Sequence, residues 1–163
     1  MDVSVVHVFA AADTAAQLEA VTRLLVAAGL GAALGLERSM SGKHAGMRTY
    51  ALVSMGSALF VVIESIVSFQ LSQFSGINPL ALASSIIIGI GFIGAGLSHS
   101  NTGEAHLELT TASGIWVSAG IGMACGFGLY TVAVATAVIG LLVFSMFLRL
   151  ENVLRKHYGM SRE

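Results

Sequence analysis

The chain has 163 residues, of which 55% are hydrophobic and only 10% charged, and its mean hydropathy is +0.83. A soluble domain carries about 25% charge, so this composition excludes an ordinary water-covered surface and points to a bilayer as the solvent. The net charge of -1 offers no basic face to nucleic acid, and the single cysteine, Cys125, has no intrachain disulfide partner.

The opening "MDVSVVHVF" lacks the basic region and small-residue cleavage site of a secretory leader, so no cleaved leader is expected and residues 1–17 read as an extracytoplasmic segment. Charges then divide the chain into five apolar blocks of about 20 residues, the length that crosses roughly 30 Å of hydrocarbon. The first covers 18–36 and is opened by Thr14 and Gln17 at capping-box spacing. The second covers 49–69. The third covers 79–98, with Asn78 as N-cap and Pro79 at the first helical position. The fourth covers 110–126 and the fifth 129–148; only Phe127 and Gly128 separate them, which predicts a tight helical hairpin. Residues 149–163 form a tail whose start continues the last helix as an amphipathic end, with Val153 and Leu154 toward the bilayer or a partner. The expected fold is an all-α membrane protein, a compact bundle of five transmembrane helices with glycine-rich packing. No soluble second domain, internal repeat or low-complexity linker is visible.

Basic residues set the expected orientation. Arg38, Lys43 and Arg48 follow the first block, and Arg149, Arg155, Lys156 and Arg162 follow the fifth, so both segments are expected in the cytoplasm. Five spans then leave the N-terminus outside, in agreement with Asp2, Asp13 and Glu19 and with the uncharged loop "QLSQFSGIN". The loop "HSNTGEAHLEL", expected inside, carries Glu104 and Glu108 and no Lys or Arg, and gives no support.

The run "GIGFIGAG", Gly89 to Gly96, has the Gly-x-Gly-x-x-Gly spacing of a dinucleotide loop. That fingerprint needs a strand before it and an amphipathic helix after it, whereas the polar run "LSHSNTGE" follows here. In a membrane helix, glycine lets a neighbouring backbone approach. Gly89, Gly91, Gly94 and Gly96 therefore let the third span pack closely or bend, and a partly unwound third span lining a substrate path is a further reading. Gly114, Ser118, Gly122 and Gly126 recur every fourth residue on the fourth span, and Gly31 and Gly35 form a GxxxG pair on the first. These seams serve packing within one chain or oligomerisation.

Three strings, "LGLERSMSGKHAGMRTYALVSMGSALF", "GIGFIGAG" and "LTTASGIWVSAGIGMACGFG", resemble the transmembrane domain of the MgtC/SapB family of bacterial inner-membrane proteins. The likeness covers Gly31 to Gly128. It rests on Gly35, Glu37 and Arg38; on Gly42, Ala45, Gly46, Arg48 and Thr49; on Gly89 to Gly96; and on Leu109, Thr110, Thr111, Ala112 and Trp116, with Cys125 in a similar "ACG" run. Two departures stand out. Leu107 and Glu108 occupy the place where family members often have a basic residue and a glycine, and the ACT-like domain that many members carry after the last span is not expected here. The resemblance implies a multi-pass protein of the bacterial inner membrane, linked to growth in low magnesium and survival inside host cells. It also implies modulation of other membrane proteins, ATP synthase among them, and the family is often labelled a magnesium transporter.

Several residues are candidates for chemistry. A carboxylate inside an apolar span costs roughly 2.5 to 3.5 kcal/mol unless it faces protein or water, and Glu64 lies in the second block. Tyr50, Ser54, Ser57, Val61, Glu64 and Ser68 share one helical face by three-and-four spacing. Arg23 of the first span sits at similar depth, about 20 Å in, which suggests an Arg23 to Glu64 ion pair; the alternative pairs Arg23 with Glu19 one turn away. The segment from Glu37 to Arg48 reads as a topogenic basic loop touching lipid headgroups, or as a mouth where Arg38 and Arg48 meet anions or Glu37. Glu37, Glu64, Glu104 and Glu108 are dispersed, which argues against a dedicated magnesium site. His99 and His106 with Glu104 and Glu108 have only loose transition-metal spacing. Cys125 reads as a small packing residue, and Trp116 and Tyr130 as packing or interfacial aromatics. With no nucleophile and base constellation and no cofactor motif, the chain is not expected to be an enzyme. The expected function is an oligomeric inner-membrane protein that binds or modulates other membrane machinery, or else a Mg2+ or proton transporter that uses Glu64 and the third span.

Overall fold

A computed structural model describes residues 14–70, 81–98 and 105–158, with side chains described at 14–68, 81–97 and 109–146. The described residues form five α-helices: α1 (Thr14–Met40), α2 (Met47–Gln70), α3 (Ala81–Ser98), α4 (Ala105–Gly126) and α5 (Tyr130–Tyr158). Residues 14–40 and 47–68 are long and apolar enough to cross a membrane. Asn78, Pro79 and the loops "QLSQFSGIN" and "HSNTGE" lie outside the described residues, wholly or in their greater part.

Two glycines in the left-handed region reverse the chain. After α1, Gly42 has φ 67°; its N–H donates to the Ser39 carbonyl, and the Lys43 N–H donates back to the Arg38 carbonyl. After α4, Gly128 has φ 76° and the same pair of bonds runs from Gly128 to Cys125 and from Leu129 to Ala124. This is the Schellman end of a helix, which needs a residue without Cβ at the left-handed position. The first turn also hands over a cap, because Ser39 Oγ at the end of α1 accepts the Met47 N–H that opens α2, at 2.9 Å.

Helix α4 is the hub, packing on α1, α2, α3 and α5. Its small-residue stripe lies on α2: a Cβ at Gly122 would collide with the Ser54 carbonyl, and one at Gly126 would come within 2.6 Å of Val61. On the other side of α2, a Cβ at Gly31 of α1 would meet the Tyr50 carbonyl at 2.6 Å. The backbone of α2 between Tyr50 and Ser54 is thus held between the glycine faces of two helices. Tyr50, Ser54 and Ser57 are buried in this seam, so the polar stripe of α2 faces protein.

The third span departs from expectation. Helix α3 is unbroken from Ala81 to Ser98, and of its four glycines only Gly94 has a neighbour, the Ala112 methyl at 3.6 Å from an added Cβ. Unwinding in apolar surroundings would strand backbone donors and acceptors at several kcal/mol each, far more than the roughly 1 kcal/mol by which glycine disfavours a helix. The helix therefore stays wound.

Candidate functional site

The end of α1 and the start of α2 build a polar cluster at one end of the bundle. Arg38 is only 2% exposed. Its Nε donates to Glu37 Oε2 at 2.6 Å, and the guanidinium carbon lies 4.0 Å from the centroid of the Phe144 ring of α5. The other carboxylate oxygen of Glu37, Oε1, accepts from Ser41 Oγ at 2.8 Å. A cation removed from water is tolerated only when paired and hydrogen-bonded, and an aromatic face adds electrostatic attraction. Here one carboxylate and one ring supply both.

Beneath this cluster, Tyr50 ties α2 to α4 twice. Its hydroxyl donates to the Thr111 carbonyl at 3.1 Å, and its own carbonyl accepts from Ser118 Oγ at 2.8 Å. Gly114 leaves the space that the Tyr50 hydroxyl occupies. The paired threonines therefore divide: Thr111 is buried in the seam, while Thr110 is exposed.

At the other end of α1, Arg23 donates from Nη1 to the Gly126 carbonyl at 2.6 Å and from Nη2 to Glu19 Oε1 at 2.5 Å. The cation neutralises a carbonyl at the C-terminus of α4, where the helix dipole favours positive charge. The described residues hold no Arg23 to Glu64 pair; Arg23 has the Glu19 partner instead. Glu64 turns toward α3, where Oε1 accepts a long bond of 3.4 Å from the Leu82 N–H in the first turn of that helix, and Oε2 is buried without a partner.

The remaining sequence candidates are placed as follows. Gly42 is the left-handed turn residue, and a Cβ at Gly46 would collide with Ser39 Oγ. Arg48 is exposed on the first turn of α2 and Thr49 is half-buried. Gly91 and Gly96 face open space, and Gly94 faces Ala112. Trp116 is 53% exposed, whereas Cys125 is fully buried. The side chains of His99, Glu104, His106 and Glu108 lie outside the described set; among the described residues no group of three His, Cys, Asp or Glu side chains gathers to hold a metal. Sequence reasoning missed Phe144, because no local spacing rule links α5 to the end of α1. Tyr50 and Ser118 both fall on the recurring small or polar positions of their helices, but their contact follows from pairing the two helix faces, which spacing along either helix alone does not reveal.

Comparison with known proteins supplies the wider context. The family model described as "MgtC family" matches residues 24–153. The chain is 38% identical over 146 residues to a protein of Escherichia coli K12 named "Putative magnesium transporter YhiD", covering 88% of this chain and 67% of that protein. It is 40% identical over 139 residues to Protein SrpB of Synechococcus elongatus, covering 80% and 76% respectively. Protein MgtC of Salmonella typhimurium is 39% identical over 119 residues, covering 73% of this chain and 48% of its own, so the match spans about half of that relative. No solved structure matches the chain.

Proposed function

This chain belongs to the MgtC family, and from that premise we propose that it is a multi-pass inner-membrane protein, without enzymatic activity, that acts during magnesium limitation by binding and modulating other membrane proteins. The observation that carries this reading is the contrast between α3 and its neighbours. In α1 and α4, Gly31, Gly35, Gly114, Gly122 and Gly126 are spent on contacts inside the chain. In α3, the most apolar of the five helices, Gly91 faces open space on the same side as Ile88, 75% exposed, and Phe92, 83% exposed. A small residue between two large apolar ones is what a second transmembrane helix needs for close approach.

Magnesium enters the proposal through the printed name of the Escherichia coli relative. Autonomous transport is the second reading, and one feature favours it: the partnerless Oε2 of Glu64, a buried acceptor within an apolar helix. Sealed proteoliposomes of the purified protein separate the two. Modulation predicts no Mg2+ or H+ flux under either gradient, together with covalent adducts to other membrane proteins from a photo-crosslinking residue at Phe92 and none from one at Leu142 on α5. Flux by the wild type that is abolished by Glu64→Gln would overturn modulation in favour of transport.

A further inference from the structure

Helices α2 and α3 touch only lightly, and between them lies an open cavity of about 510 Å3. Leu52 and Phe60 of α2 and Ile86 and Ile93 of α3 wall it, while Gly56 and Gly89 deepen it, since nothing lies within 4 Å of a Cβ at either glycine. Leu82, whose N–H donates to Glu64 Oε1, lines one end. The other end lies at Leu52, one turn beyond the exposed Arg48 on the same face of α2.

Size and charge decide what fills this groove. From Leu82 to Ile93 it runs about 16 Å along the helix axis, and apolar side chains form almost all of its wall. At about 30 Å3 per water-sized group, the cavity holds roughly 17 groups, the bulk of one acyl chain. An empty groove of this size beside hydrocarbon would forfeit contacts along its whole lining. At its open end the described charge is cationic: Arg48 has no ion pair among the described residues, and Lys43 stands in the preceding turn.

We propose that the α2/α3 groove is a binding site for one anionic phospholipid, its acyl chain lying along Gly56 and Gly89 and its phosphate held by Arg48. The site rests on the bilayer placement proposed above, and alkaline extraction of the same membranes tests that placement separately. The protein carrying Phe60→Trp and Trp116→Phe, with its one tryptophan in the groove wall, is reconstituted with brominated phosphatidylglycerol or brominated phosphatidylcholine. The expected result is an apparent affinity about fivefold higher for the anionic lipid, the weight of one basic side chain at an anionic surface. Arg48→Gln is expected to remove this preference, and Gly89→Leu to weaken quenching by both lipids. Equal quenching by both lipids, unchanged by Arg48→Gln, would mean ordinary surrounding lipid and would overturn the site. A disulfide between copies bearing Gly89→Cys, with no quenching, would assign the groove to a second copy and overturn it as well. Native mass spectrometry of the otherwise unaltered protein gives a second reading: one anionic phospholipid retained by the wild type and lost from Arg48→Gln supports the site, and equal retention by both refutes it.

Discussion

Removing a guanidinium from water costs several kcal/mol, and at Arg38 the return comes from Glu37 on the adjacent residue and from the Phe144 ring. Such a pair is asymmetric under mutation. Loss of one partner leaves an uncompensated buried charge, whereas replacing both by neutral groups of similar size removes the penalty along with the attraction. Glu37→Gln is therefore expected to destabilise the protein by about 3 kcal/mol, at the low end of the range for a broken buried pair because the carboxylate keeps some solvent. Arg38→Met combined with Glu37→Gln is expected to recover most of that loss. Thermal unfolding of the purified variants in one detergent measures both, and a double variant less stable than Glu37→Gln alone would show that the guanidinium stabilises the mouth through contacts beyond this pair.

At the scale of the helix, glycine position matters more than glycine number. Gly122 and Gly120 both lie on α4, yet an added methyl at Gly122 would strike the Ser54 carbonyl while one at Gly120 meets nothing within 4 Å. Gly122→Ala is expected to cost about 1 to 3 kcal/mol by overpacking the α2/α4 seam. Gly120→Ala is expected to be neutral or stabilising by up to about 1 kcal/mol, since alanine is the better helix former. The same unfolding assay compares them, and equal losses would contradict the assigned packing face. These elements also show what the sequence makes legible. Five apolar blocks and the four-residue recurrence from Gly114 to Gly126 announce five helices and a tight seam, because burial and close approach impose a period on the residues themselves. Helix ends are legible only in part: the sequence predicts that the start of the tail continues the last helix, and α5 does run on past the apolar block, to Tyr158. Hydropathy, which falls where charges begin, does not mark where the backbone hydrogen bonds stop. Pairings across the bundle are least legible. Arg23 and Glu64 share an expected depth, yet depth does not fix the angle around each helix, and the guanidinium of Arg23 pairs with Glu19 at i−4. Stacking of Phe144 on Arg38 likewise follows from tertiary packing that leaves no periodic trace.

The whole molecule adds an argument about orientation that no single segment contains. Arg38 meets Phe144 and Arg23 meets Gly126, so α1 runs from the α4/α5 turn toward the far part of α5. The basic turn with Lys43 and Arg48 consequently lies at the bundle end toward which α5 runs on to Arg149, Arg155 and Lys156. At the opposite end, the one described basic residue, Arg23, is tied to Glu19. Because cytoplasmic ends collect Lys and Arg, the bilayer placement proposed above predicts that the α1–α2 turn and the end of α5 face the cytoplasm. Helix α5 has 29 residues, about 43 Å at 1.5 Å per residue, against a hydrocarbon layer of about 30 Å, so in that placement its last turns are expected to project into the cytoplasm. A single cysteine replacing Lys43, in a Cys125→Ala background, is expected to react with a membrane-impermeant maleimide in inverted vesicles and to stay unlabelled in intact cells. A cysteine replacing Tyr158 should behave identically. Labelling of both in intact cells would invert the orientation, and opposite behaviour of the two would break the shared end that the Arg38 and Phe144 contact establishes.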